Sequence, residues 1–509
     1  MVNSFALRQK RAALNQRRAQ PSAVPTSVPA PVTGWNTRDA LDAMAPTDAV
    51  LLDNWFPTTG KVTVRGGYTE YATGITGNVD TLAEYHAGAT HKFIAASDGE
   101  LWDISASGAA SSLASGFTVN NWQWSNFNGR IFFFNGTDAP QDYDGSTMSA
   151  TAWTGSGLTI ANLVGVNVFK SRLFMWEEDS QDFWYAAVNA ITGTLTKFPL
   201  SRVGQFGGNL VAMGTWTRDG GAGLDDFAVF IMSSGEVIVY QGTDPGDATA
   251  WSLVGIYRIG SPLNIRGVIK LGGDIVVMTT DDYVFLSTVL ATGQVGDASK
   301  LSGAVTAAST QADSFGWQAL LYARGNMTIF NVPLANGSFG QHVINTITGA
   351  ACRFKDIPAR CWGIYSKDCY FGSTDGVVYK FNDGNTDNGT AIDADGRQAW
   401  NDFDSPSRKH IKAIRLAIES QGSITYELGI GFDFNDALTP SPSSSVSSQS
   451  LWDVALWDVA LWASGLVTDT TWKAAGGQGY TLSTRVRISA LQEISWVRTD
   501  YRVEVGNAL

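Results

Sequence analysis

The residues of this chain that could do chemistry are four histidines, three cysteines and a scatter of paired carboxylates. Metal ligation and proton transfer both need such groups to converge. Cys352, Cys361 and Cys369 stand near His342, yet the spacing completes no zinc-ligand pattern. The three read as free, buried thiols of a reducing compartment. His86 and His91 are close in sequence without a third ligand, and together with His342 and His410 they read as ordinary surface or turn residues. Glu177-Glu178 and Asp225-Asp226 fall at expected turns, where carboxylates are solvated. From Asp383 to Gly396, Asp383, Asn385 and Asp387 take the first, third and fifth places of a calcium loop. The sixth place is Asn388 and the twelfth Ala394, so an Asx-rich turn is the better reading. No Gly-x-Ser-x-Gly elbow and no Walker-type phosphate loop occurs. The expectation is a chain with no catalytic residues, metal or cofactor, and not an enzyme.

The elements that would position any site are short strands. With 54 glycines, 11% aromatic and 16% charged residues among 509, turns and strands are favoured over long charged helices. Phe227 to Gly242, FAVFIMSSGEVIVYQG, is the pattern: an apolar run, a polar turn at Ser233-Ser234-Gly235, then a β-branched run. The same hairpin recurs at Gly99, Gly136, Asp179, Gly235, Asp282, Gly325 and Gly376, separated by 37, 43, 56, 47, 43 and 51 residues. This interval fits a four-stranded blade, and predicts an all-β fold with a β-propeller of six or seven blades over residues 78–400. Two stacked sandwiches are the alternative. The repeated Ser-x-Asp-x-Gly-x-Thr-Trp box of propeller sialidases is absent.

Residues 34–77 read as a short helix, capped by Asn36 or Thr37 and running through Met44, followed by a hairpin. Residues 401–509 read as a β-sandwich, because Ile424 to Phe434 and Tyr480 to Ile488 alternate apolar and polar. Within it, a serine-rich stretch precedes LWDVALWDVALW, whose Trp452, Trp457 and Trp462 recur every five residues. Such a ribbon is apolar on both faces and must be covered by its own sandwich or by another subunit. No apolar run approaches 18 residues, so no membrane span is expected.

The net charge of -12 is unevenly spread. Arg8, Lys10, Arg11, Arg17 and Arg18 give the first 37 residues +5 without an acid, leaving -17 for the rest. Residues 1–33 therefore read as a basic, proline-rich docking arm that orders on a partner, an acidic protein surface first and DNA second. The acidic body argues against a nucleic-acid surface of the usual kind.

Four stretches, LDNWFPTTGKVTVRGGY (52–68), NGRIFFFNGTDAPQDYDG (128–145), MGTWTRDGGAGLDDFAVFIMSSGEVIVYQGTDP (213–245) and WDVALWDVALW, resemble the tail hub or nozzle proteins of short-tailed bacteriophages. The resemblance covers most of residues 45 to 300. It implies a structural virion protein in the tail, assembled in the bacterial host cytoplasm as a homo-hexameric ring below the portal and adaptor proteins. Distal nozzle, fibre or needle proteins would lie beside or below, and genomic DNA would pass through the extended channel. The alternative is a tail propeller that binds or cleaves host surface polysaccharide.

Overall fold

The run from Phe227 to Gly242 forms the hairpin that its pattern predicts: Leu224–Met232 pairs antiparallel with Glu236–Gly242. Gly235 sits at φ 80°, and a Cβ there would collide with the Ile259 carbonyl, so this turn requires glycine. Both faces of the hairpin are buried, which is why its strands read as nearly continuous apolar runs. Val229, Ile231, Val237 and Val239 pack with Ile275 and Val277. Phe230, Met232, Ile238 and Tyr240 pack with Phe174 and Phe183. One strand pair thus serves two cores, as a blade set between two others must.

The computed structural model describes residues 24–219, 224–292, 298–310, 315–422, 424–435, 439–440, 444–445, 467–469 and 471–506. Two compact units emerge, one of them comprising Trp35–Asp39 and Arg65–Ile392. In this unit seven sets of antiparallel strands follow one another, and their first strands are Thr81–Ala87, Gln123–Phe127, Leu163–Phe169, Leu210–Asp219, Val268–Leu271, Gln318–Tyr322 and Cys361–Tyr365. Numbered in that order, they are blades 1 to 7. Each first strand contacts the next, and the seventh contacts the first, so the blades close into a ring. The seventh sheet is completed by Tyr68–Thr73, which pairs antiparallel with Val378–Phe381 and ties the start of the ring to its end. The unit is a seven-bladed β-propeller.

Polar side chains join neighbouring first strands. Asn126 Nδ2 donates to the Glu84 carbonyl at 2.7 Å, Asn167 Nδ2 to that of Met213 at 2.6 Å, and Gln318 Nε2 to that of Trp362 at 2.8 Å. Inner strands leave backbone groups facing a neighbour rather than a ladder partner, and these amides satisfy them.

The structure corrects several expectations. In blade 6, Arg324-Gly325 lies between the first and second strands, and the turn equivalent to Gly235 is at Gly337. Blade 5 has three strands, followed by the helices Leu286–Thr292 and Ser302–Ser309. Residues 36–44 form turns and no helix; Asn36 Oδ1 does accept from the backbone N–H of Arg38 and Asp39, but Pro46 soon disfavours helical geometry. Asp225 and Asp226 lie within the strand Leu224–Met232, where Asp226 pairs with Lys170 at 2.6 Å.

The other unit comprises residues up to Gly34, Ala40–Val64 and Asp393 onward, so its boundary falls before 401 and it takes strands from the N-terminal part of the chain. It is a β-sandwich. One sheet runs Trp55–Pro57, Val62–Val64, Ile494–Val505, Lys409–Ser420; the other runs Asp48–Asp53, Ile392–Gln398, Leu482–Ala490, Thr425–Phe432. Trp55 and Trp496 meet edge to face at 6.0 Å in its core, and Tyr501 Oη, from the first sheet, lies 2.6 Å from Thr484 Oγ1 of the second. The proline-rich part of the expected docking arm includes a strand: Val24–Pro29 pairs antiparallel with Ile494–Val505. Ala30 N donates to the Val497 carbonyl, so by strand alternation Pro25 and Pro29 turn their nitrogens to the free edge, where no donor is missed.

Candidate functional site

The propeller axis holds the most distinctive polar cluster among the described residues. A cavity of about 190 Å³ is lined by Leu82 of blade 1, Gln123 and Trp124 of blade 2, Arg266 just ahead of blade 5, Gln318 of blade 6 and Trp362 of blade 7. All lie at or near the start of a first strand, so the cavity sits where the inner strands begin. Arg266 crosses the ring. Its Nη1 donates to the Asp80 carbonyl at 2.8 Å, and its Nη2 donates to Thr81 Oγ1 at 2.7 Å and to the Trp122 carbonyl at 2.8 Å. Blade 5 is thereby tied to blades 1 and 2, which are not its neighbours. Burial pulls the Arg266 pKa below its ordinary value. Arg360 Nε donates to Asp80 Oδ1 at 2.7 Å, yet burial outweighs both arginines and raises the Asp80 pKa. Beside them the Cys361 thiol donates to the Val79 carbonyl at 3.3 Å and is pushed up to about 12 by burial, so it stays protonated and unreactive near neutral pH.

A second cavity, also about 190 Å³, lies between blades 6 and 7 and is lined by Tyr322, Arg324, Asp368, Lys380 and Asp383 among others. Its charges are already paired: Arg324 and Lys380 both reach Asp368. The arrangement is a surface ion-pair network.

The residues singled out in the sequence are dispersed. Cys352, Cys361 and Cys369 are buried. His342 is buried rather than at a surface or turn: it lies in the strand Phe339–Asn345, with Nδ1 2.7 Å from Tyr283 Oη, and burial with nearby Arg353 lowers its pKa to about 3. His86 and His91 face each other across the first hairpin of blade 1, with ring centroids 4.6 Å apart. His410 lies in a sandwich strand, near Glu504. Asp387, the fifth place of the calcium-like loop, is instead held bidentately by Arg65 at 2.7 and 2.6 Å. Among the described residues no three His, Cys, Asp or Glu converge as metal ligands, and no helix is long and apolar enough to cross a membrane. Arg8, Lys10, Arg11, Arg17 and Arg18, like Trp452, Trp457 and Trp462, lie outside the described residues. Sequence reading missed Arg266, Gln123 and Trp124; the one local signal was the polar and aromatic alternation of NNWQWSN.

No protein-family model and no curated protein matches the chain. Solved structures similar to it include YCF48 bound to D1 peptide, at 9% identity and TM-score 0.40, covering 62% of this chain and 94% of that one. BBS1N in complex with ARL6DN matches at 12% identity and TM-score 0.41, covering 64% and 99%. Saccharomyces cerevisiae Sqt1 matches at 9% and 0.38, covering 62% and 99%. The propeller assignment rests on the closed ring of sheets in the chain itself.

Proposed function

We propose that this chain is a structural subunit of a bacteriophage tail, a hub or nozzle protein that assembles as a homo-hexameric ring and extends the genome-ejection channel. The observation that carries this reading is the placement of the two sequence segments fitted for partner contacts. The basic arm runs directly into Val24–Pro29, and the Trp repeat falls between Ser444–Ser445 and Val467–Asp469; both flanks belong to the sandwich unit. The seven blades are inserted between segments of the sandwich unit, Ala40–Val64 and Asp393 onward. Such a division suits an assembly module carrying a rigid insert. The Arg266 tie across the propeller axis also favours a conduit formed between subunits over one through the propeller.

Deleting residues 2–20 tests the docking role. The truncated protein should keep its melting temperature and lose attachment to tail-less, DNA-filled heads, and raised salt should weaken attachment of the intact chain. Full attachment by the truncated chain would refute it.

A further inference from the structure

The axial cavity gathers polar groups that ring closure does not use up. A guanidinium has five N–H donors, and those of Arg266 that meet Asp80, Thr81 and Trp122 leave the Nε–H and one Nη1–H. No described carboxylate lies within ion-pair distance of it, although Asp80, paired with Arg360, is near. Gln123 lines the same cavity, and its side-chain amide has no hydrogen-bond partner among the described residues. Trp124 lines it too and is 37% exposed, whereas Trp122 and Trp362 of the same lining are buried.

A cation, an unpaired amide and an open indole each ask for a different part of one ligand. The cation asks for an anion, which a planar carboxylate satisfies through two parallel bonds. The indole asks for an apolar face, and the amide for a hydroxyl. A volume near 190 Å³ is below the usual range for drug-sized ligands, and suits a single ring. An acidic side chain of a docked protein would satisfy the guanidinium but leave the indole and the amide unused. We propose that the axial cavity is a binding site for a carboxylate-bearing sugar residue: its carboxylate on Arg266, a hydroxyl on Gln123 and its ring face on Trp124. The proposal stands on the propeller alone and is independent of the ring reading.

Calorimetric titration of the full chain tests it, with three probes: a uronic acid trisaccharide, the neutral glucose trisaccharide of the same linkage, and a hexaglutamate peptide. The uronic acid trisaccharide should bind, with the neutral sugar at least about tenfold weaker, since the loss of one charge-assisted contact is on that scale. Arg266 also holds the ring together, so the decisive variants are Trp124→Ala and Gln123→Leu, each checked for an unchanged melting temperature. The first should weaken binding about tenfold and the second several-fold. Equal affinity for the neutral sugar, tighter binding of the peptide, wild-type affinity in Trp124→Ala, or no binding by any probe would each overturn the assignment.

Discussion

The propeller and the sandwich are both built from antiparallel sheets, yet they bury them differently, and the difference is written in their strands. Every propeller sheet described above lies between two others, so strands such as Arg130–Phe134 and Leu224–Met232 are apolar at nearly every position. Each sandwich sheet buries one face. In Ile494–Val505, Thr499, Tyr501 and Val503 face inward while Arg498 and Arg502 are exposed. Polar groups follow suit. In the propeller, half-buried amides reach across to the next blade; in the sandwich, Asp500 is held on the outward side of its strand by Ser27, Arg415 and Arg498.

The largest effect should come from the residues that serve a blade interface. Phe230 stacks on Phe183 with ring centroids 4.6 Å apart, and Phe230→Ala should cost about 3–5 kcal/mol. In differential scanning calorimetry the propeller transition should fall while the sandwich transition stays in place. A single transition shifting as a whole would mean that the two units unfold together, and the comparison would fail.

Acid should separate them further. His342 is neutral in the fold, with its pKa lowered to about 3 by burial and Arg353, against an ordinary value of 6.5. A depressed basic group contributes stability that is complete above 6.5 and is lost as pH falls toward 3, here up to about 4 kcal/mol. The propeller should lose stability across that window, and His342→Gln should flatten the slope. In the sandwich, burial opposes but Ser27, Arg415 and Arg498 prevail, so the Asp500 carboxyl lies below its ordinary 3.8 and its contribution fades only at lower pH. Melting temperatures measured from pH 7 to pH 3 would show whether the two transitions diverge in that order.

A smaller effect concerns the ties between blades. Asn167→Ala removes the bond to the Met213 carbonyl and should cost about 1–2 kcal/mol, more than a surface substitution because the carbonyl is left unsatisfied. Chemical denaturation with an unchanged m-value checks it.

The two regions also differ in what a sequence can disclose. The turns at Gly99, Gly136, Gly235 and Gly376 were legible because each glycine occupies positive φ between strand-forming runs. Arg324-Gly325 carries the same local signal at a different hairpin of its blade, and only long-range pairing tells the two apart. The closing strand Tyr68–Thr73 was hidden for the same reason, since its partner Val378–Phe381 lies some 300 residues away. The sandwich strands were visible from alternation, but the prolines placed residues 24–29 in the docking arm; that the nitrogens of Pro25 and Pro29 face a free edge is a matter of register, which composition does not carry. Arg266 was beyond reach altogether. An arginine in the loop Asn264-Ile265-Arg266-Gly267 becomes an axial group only when blades 1, 2 and 5 surround one axis.

Electron cryomicroscopy of the purified full chain tests the central claim most directly. The account predicts a sixfold ring whose pore runs between subunits, with Arg266 crossing each propeller axis. Monomers, or a ring without an open central pore, would contradict it.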